Sequence, residues 1–329
     1  LVPEKVLEYI NNNNLYKDDW LKILVTGGAG FIASQVADAF INDGHQVVVL
    51  DDLSTGFEKN INPKAKFVKA NICDKEIAEL FAKEKFDVVN HHAAQMDVRR
   101  SVKDPVFDAS TNILGTINLL QNCIKFNVKK FMFASTGGAI YGEQDYFPAD
   151  EKHNTQPKSP YGISKLAVEK YLYFYKSEYN LDYIILRYAN IYGPRQNPFG
   201  EAGVVAIFST KLLKGEQPII NGDGKQTRDY VFVGDVVKAN VITLNDNSSN
   251  IYNIGTGIET DVNQLFHYLN EITKAKKEEK HGPAAPGEQM RSVITSDKMF
   301  TKFGWRPNTK LKDGLKATVD FFKSSLWIN

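Results

Sequence analysis

The sequence predicts an α/β protein, a doubly wound parallel sheet followed by a smaller mixed α/β C-terminal lobe. Three observations carry that prediction. Short apolar runs of strand length alternate with helix-length stretches over residues 21–190, the pattern of a parallel sheet covered on both faces. A glycine-rich turn joins the first run to the first helix, and the second run ends in two aspartates.

Taken in order, residues 21–25 form a buried-strand run and Gly27 to Gly30 make the turn. The spacing of Phe31, Val36, Ala39 and Phe40 predicts a helix over 31–42, stopped by Asp43-Gly44. Residues 46–50 are the second strand, and 66–69, 87–90, 130–134 and 183–186 are further strands. Helices over 74–84, 110–126 and 163–178 lie between them. Beyond about residue 190, turns such as Gly193-Pro194, Gly222-Asp-Gly224 and Gly282-Pro283 become frequent and the periodicity blurs. Residues 21–190 are therefore read as one domain and 191–329 as the smaller lobe, with segments near 228–260 returning to the first domain. Residues 1–20 read as an N-terminal extension without chemistry. They hold the run Asn11 to Asn14, and Val2, Val6 and Ile10 are spaced for one side of a short helix.

Composition narrows the function classes. A chain of 329 residues can bury a large core without disulfide staples. With 40 basic against 39 acidic residues, the net charge of +1 gives no whole-chain attraction for nucleic acid or anionic lipid. No apolar run approaches the roughly 20 residues that span a bilayer. Cys73 and Cys123 form no paired motif, so no metal site is expected and a reducing cytoplasm is the expected setting.

The turn Thr26-Gly27-Gly28-Ala29-Gly30-Phe31-Ile32-Ala33 follows a strand and opens a helix. Residues without Cβ let the backbone approach a pyrophosphate, whose charge meets the free N–H groups at the helix start. Asp51 and Asp52 end the second strand, where a carboxylate accepts hydrogen bonds from an adenosine ribose and repels a 2′-phosphate. The Rossmann dinucleotide site is thus expected, and NAD rather than NADP. Tyr161 and Lys165, four apart on a predicted helix, share one face. A nearby ammonium favours phenolate, which makes Tyr161 a candidate base for a carbinol proton. Ser135-Thr136, at the end of the intervening strand, are placed to hydrogen-bond the same hydroxyl.

These motifs resemble the extended short-chain dehydrogenase/reductases, and within them the NAD-dependent nucleotide-sugar 4-epimerases. The resemblance covers about residues 21–322. It rests also on Asp51-Asp-Leu-Ser-Thr-Gly56, His91-His-Ala-Ala-Gln95, Asn112-Ile-Leu-Gly-Thr116, Ser159-Pro-Tyr-Gly-Ile-Ser-Lys165, Arg187-Tyr-Ala-Asn-Ile-Tyr-Gly-Pro-Arg195 and Arg228-Asp-Tyr230. It implies that Gly27, Gly30, Phe31 and Ile32 line the pyrophosphate, and that Asp51, with Asp52, Ser54 and Gly56, holds the adenosine end. Asn71 and Ile72 flank the adenine, although the family more often has Asp at the first of these. Ala93, Ala94, Asn112 and Ser135 lie along the cofactor, and Tyr188 approaches the nicotinamide. Tyr161 is implied as the base, Lys165 as its electrostatic partner and ribose ligand, and Thr136 as the hydroxyl partner, with Ser135 as the alternative. Asn190, Val204, Arg228, Glu288 and Ser292 are implied to bind a UDP-sugar. A homodimer built from helices near 105–125 and 163–178 is implied as well.

Departures from the family pattern set the expected reaction. Gly137-Gly138 follow Thr136 where sugar 4,6-dehydratases carry an Asp-Glu pair, and Ala139 stands where related decarboxylases carry Glu. Without that acid or base, hydride chemistry alone remains, which suits a 4-epimerase of UDP-Glc/UDP-Gal. Ser292 falls where glucose-restricted members carry Tyr, leaving room for the acetamido group of UDP-GlcNAc/UDP-GalNAc. Ala285 replaces an Arg that often contacts phosphate, and Asn221 replaces an aromatic that often stacks on uracil. The alternatives are a nucleotide-sugar oxidoreductase and a UDP-glucuronate 4-epimerase on the same fold. A dinucleotide sensor is disfavoured because such proteins usually lose the Tyr/Lys pair.

Overall fold

Successive residues of a strand face opposite sides of its sheet, and here both sides are buried. In β1 (Lys22–Thr26), Ile23 and Val25 pack into one apolar layer and Leu24 into the other, all three with no solvent exposure. In this computed structural model the described residues are 20–199, 203–284 and 289–324. From β1 the chain runs through α1 (Phe31–Asn42), β2 (Gln46–Asp51), β3 (Lys66–Lys69), α2 (Ile77–Glu84), β4 (Val88–His91), α3 (Val98–Lys103) and α4 (Pro105–Ala109). A π-helical turn (Ser110–Leu114) leads into α5 (Gly115–Lys125), then β5 (Lys130–Thr136), α6 (Pro160–Tyr179) and β6 (Asp182–Tyr188).

The second half begins with β7 (Asn190–Tyr192), α7 (Val204–Leu213), β8 (Ile220–Asn221), β9 (Thr227–Arg228) and β10 (Tyr230–Phe232). It continues through α8 (Val233–Leu244), β11 (Asn250–Ile254), β12 (Thr260–Asp261), α9 (Val262–Thr273) and β13 (His281–Gly282), and ends with β14 (Arg291–Ser292), α10 (Asp297–Phe303) and α11 (Leu311–Ser324).

Seven strands form one parallel sheet in the order β3-β2-β1-β4-β5-β6-β11. Strand order reverses between β1 and β4, and ligands of such sheets bind in the crevice beyond the carboxyl ends at that point. One face is covered by α1 and α8 through Ala33, Val36, Phe40, Val236 and Ala239. The other is covered by α2, α5 and α6 through Phe81, Leu119, Leu120, Val168 and Leu172. A third apolar layer, with Phe208, Leu265, Phe266, Leu315 and Val319, joins α7, α9 and α11 in the smaller lobe.

The doubly wound prediction matches this architecture, with differences of detail. The helix expected from 110 begins earlier, as α4, and passes through the π turn before α5. Where periodicity blurs beyond 190, five helices are present among the described residues. Strand β11 and helix α8, from the second half of the chain, join the large sheet layer. Residues 1–19 of the extension expected over 1–20, together with Ala285 and Glu288, lie outside the described residues.

Candidate active site

The crevice is floored by the turn after β1. Gly27 has φ +69°, and a Cβ there would stand 2.7 Å from the backbone nitrogen of Ala93, so only glycine lets the turn lie against the end of β4. A Cβ on Gly28 would meet Val49 Cγ1 at 2.7 Å, and one on Gly56 would meet Ala29 Cβ at 2.9 Å. Gly30 precedes α1 with extended backbone, leaving the first N–H groups of the helix to face an anion. Phe31 and Ile32 open that helix. Asp51 accepts from the N–H groups of Ala29 at 3.0 Å and Leu53 at 2.8 Å, which ties the turn to the end of β2. Burial, the largest influence, raises the Asp51 carboxyl above the usual aspartate range. Asp52 accepts from the Ser54 amide and from Asn71 Nδ2 at 2.7 Å, and Ile72 is buried beside Gly115. The crevice thus has a cradle that a single Cβ would fill, a helix start and a carboxylate pair, a set that fits a dinucleotide.

At the far side of the switch point, α6 carries the Tyr161/Lys165 pair. Ser159 caps the helix by accepting from the Gly162 N–H, and Pro160 occupies the first position, so the helix begins one residue before Tyr161. Lys165 is 4% exposed. Its Nζ donates to Ala134 O at 2.9 Å and lies 4.7 Å from the Phe133 ring centroid and 5.8 Å from that of Tyr161. Burial pulls its pKa down to about 8, partly opposed by Asp108 and Glu169. Both carboxylates are otherwise engaged. Asp108 accepts from Ser164 Oγ at 2.6 Å, Gln95 Nε2 at 2.9 Å and Asn112 Nδ2 at 3.1 Å. Glu169 binds Arg187 through two hydrogen bonds of 3.0 and 2.6 Å and accepts from Ser135 Oγ at 2.6 Å.

The two candidate hydroxyls on β5 therefore differ. Ser135 spends its proton on Glu169. Thr136 Oγ1 accepts from the Ala139 amide at 3.1 Å, and a Cβ built on Gly138 would lie 3.9 Å from it and 3.5 Å from Asn190 Oδ1. Gly138 thus stands between Thr136 and Asn190, where a side chain would enter the site. Gly137 has no such room, since its Cβ would come within 2.4 Å of Ile294 Cδ1.

Asn112 sits in the π turn and clamps the loop after β4, accepting from Gln95 N and donating to Gln95 O, both at 2.8 Å. Ala93 and Ala94 lie in that loop, and Ala93 N donates to Thr26 Oγ1 at 3.2 Å. Tyr188 closes β6, with its hydroxyl accepting from Asn240 Nδ2 at 2.8 Å. In the smaller lobe Ser292 pairs with Arg228 across β14 and β9, and Asn190 pairs with Tyr230 across β7 and β10. Ser292 is buried and Arg228 is half-buried. Val204 begins α7 at the edge of the third apolar layer, and Asn221 lies exposed on β8.

Several residues of this neighbourhood were given no role by the sequence, although Asp229, His91 and Ser164 lie inside the quoted motifs. Asp229, inside Arg228-Asp-Tyr230, accepts from Thr256 N and Oγ1 and from the amides of Gly257 and Ile294. Burial pushes its pKa up to about 6 against those bonds. His91 lies between Thr26 Oγ1 at 2.7 Å and Thr116 Oγ1 at 2.9 Å, held neutral by burial. Asp108, Ser164 and Glu169 fix α6 from behind.

The description of one family model, the NAD dependent epimerase/dehydratase family, matches residues 23–255. The chain belongs to that family. The UDP-glucose 4-epimerase of Mycolicibacterium smegmatis is 42% identical over 92% of this chain and 99% of its own length. The UDP-glucose 4-epimerase of Thermotoga maritima, solved with UDP-glucose, is 49% identical with a TM-score of 0.91, over 92% of this chain and 99% of that one. The UDP-glucose 4-epimerase of Thermus thermophilus, solved with NAD, is 42% identical with a TM-score of 0.88, over 93% of this chain and all of that one. Among the described residues no group of three or more His, Cys, Asp or Glu could hold a metal, and no helix is long and apolar enough to cross a membrane.

Proposed function

We propose that this chain is an NAD-dependent UDP-sugar 4-epimerase. One observation carries the reading: a buried lysine beside Tyr161, bonded to the strand that ends in Thr136, at the switch-point crevice, with glycines where an eliminating enzyme needs an acid pair. NAD, when bound, supplies the acceptor and returning donor for the C4 hydride. Tyr161 takes the C4 hydroxyl proton and gives it back. The Lys165 ammonium lowers the cost of the phenolate, and its remaining N–H groups are available to a ribose. Thr136 holds the C4 oxygen by hydrogen bond. Asn190 and Arg228 hold the diphosphate, for which a planar guanidinium is suited. The carboxylates nearest Lys165 are spent on protein partners, which supports a 4-keto sugar that turns over and is reduced rather than one that eliminates.

We assign the dinucleotide to the seven-stranded sheet layer and the sugar nucleotide to the smaller lobe, with Glu288 on its uridine side. The small, buried Ser292 opposite Arg228 supports admission of a 2-acetamido sugar as well as glucose. A homodimer is supported by Val102, Val106, Leu114, Ile163 and Tyr173, which are each more than half exposed on α3, α4, the π turn and α6. Apolar side chains at that density mark a surface covered by another. Neither cysteine is in a disulfide, consistent with a cytoplasmic setting.

The test is incubation without added cofactor with UDP-glucose, UDP-N-acetylglucosamine and UDP-glucuronate, followed by resolution of the products. UDP-galactose and UDP-N-acetylgalactosamine are expected. A 4-keto-6-deoxy product, or turnover only with added NADH or NADPH, would sink the reading. In Ser292→Tyr the acetamido sugar should be lost and glucose kept.

A further inference from the structure

His92 follows β4 at the switch point, and its backbone carbon would lie 3.0 Å from a Cβ on Gly27. Its ring stacks on Tyr188, centroids 6.0 Å apart and planes 26° apart. A chain of hydrogen bonds fixes which nitrogen carries the proton. Asn240 Nδ2 donates to the backbone oxygen of Val236 at 2.9 Å. A carbonyl only accepts, so that end of the amide is the nitrogen and the other is the oxygen. Asn240 Oδ1 receives Asn90 Nδ2 at 3.0 Å, as that orientation requires. The second Asn240 proton goes to the Tyr188 oxygen at 2.8 Å. The Tyr188 oxygen has room for a second donor, but its own buried proton would then lack an acceptor, so that proton goes to His92 Nε2, 3.1 Å away.

His92 Nε2 is therefore the acceptor, and the single ring proton of the neutral imidazole sits on Nδ1. Burial and the Lys165 charge hold the ring neutral, with a pKa of about 3. Nδ1 is itself buried and has no hydrogen-bond partner in the protein. Asn90 Oδ1 is also buried without a partner, but it is an acceptor; His92 Nδ1–H is the unmatched donor of the relay, and a buried donor left unmatched is a group that a ligand completes.

We propose that the His92 Nδ1–H donates a hydrogen bond to an oxygen of the bound dinucleotide, a pyrophosphate oxygen or the nicotinamide carboxamide. The proposal rests on the NAD reading above and deepens it. Tyr188 and Asn240 are then positioning residues, since they set the tautomer without touching the cofactor oxygen themselves. Nitrogen-15 NMR of histidine-labelled holoprotein should show Nδ1 of His92 protonated and Nε2 bare, and the reverse tautomer overturns the proposal. Dissociation of NAD from the holoprotein should be about tenfold faster in His92→Phe, the fold-change of one ordinary hydrogen bond. In His92→Gln, whose amide also donates, it should stay within about threefold of wild type. With ADP-ribose as the bound probe, the same tenfold change assigns the bond to the pyrophosphate. A change confined to NAD assigns it to the carboxamide. Unchanged release of both probes from a folded His92→Phe overturns the proposal, whereas wild-type protein that holds no NAD overturns the underlying reading. The NMR arm needs no substitution, so a variant that fails to fold does not leave the question open.

Discussion

At the residue scale, the buried ammonium of Lys165 is where function opposes stability. Its pKa of about 8 in the fold, against 10.5 for the unfolded side chain, means that the unfolded chain binds more protons between those values. The term therefore works against folding at and below pH 8 and fades as pH rises toward 10.5, a cost of roughly 3 kcal/mol at neutral pH. Asp108 and Glu169 keep other partners if the lysine is removed. Lys165→Met should thus raise the melting temperature of cofactor-stripped protein at pH 6–7, with the gain shrinking above pH 8, while turnover falls at least about 100-fold. Scanning calorimetry across that pH range, beside steady-state kinetics, checks both directions, and a variant less stable at pH 6 would contradict the argument. Tyr161→Phe should abolish turnover with NAD retention unchanged, read as bound nucleotide per protein chain after gel filtration. Arg187→Met should cost about 3–5 kcal/mol in denaturant titration, because it leaves Glu169 charged and buried. The Tyr/Lys pair was legible from its spacing. The partners behind it were not, because a buried Asp, Ser or Glu has no periodic signature until the fold brings the helices together.

At the element scale, the turn between β1 and α1 and the capped start of α6 carry the geometry. Gly27→Ala combines a left-handed φ with a 2.7 Å clash against Ala93 N, so it should both destabilise the fold by about 1–3 kcal/mol and strip the dinucleotide. Retained nucleotide and unfolding midpoint measure the two effects. Gly30 and Asp51 could be read from sequence because they serve a local turn of fixed geometry. The π turn at Ser110–Leu114 could not, since the extra residue shifts the apolar face by about 100° without any residue type of its own to mark where. The clamp of Asn112 onto Gln95 shows what that turn does: it aims one amide at the loop holding Ala93 and Ala94. Ser135 and Thr136 were adjacent candidates in the sequence, and strand alternation parts them. One faces Glu169 and the other sits beside Gly138 and Asn190.

At the scale of the whole molecule, six of the seven parallel strands, with both faces covered, were foreseeable in the first 190 residues, where most strands are apolar runs. The smaller lobe was less legible because its strands are two or three residues long and pair across long sequence gaps, as β9 does with β12 and β14. Segments near 228–260 were expected to return to the first domain, but no strand was read there, and β11 at Asn250–Ile254 pairs with β6 across a long sequence gap. Assembly is a property of this scale too. Val106→Glu or Tyr173→Lys should convert the proposed dimer to monomer in light scattering, and a wild-type mass of one chain would remove the dimer. The central claim is that hydride leaves C4 and returns to the same sugar within one closed site. It is tested most directly with UDP-glucose deuterated at C4, in the presence of unlabelled NADH. Complete retention of deuterium at C4 of the UDP-galactose formed is the predicted result, and loss of the label to solvent or to the added NADH would contradict it.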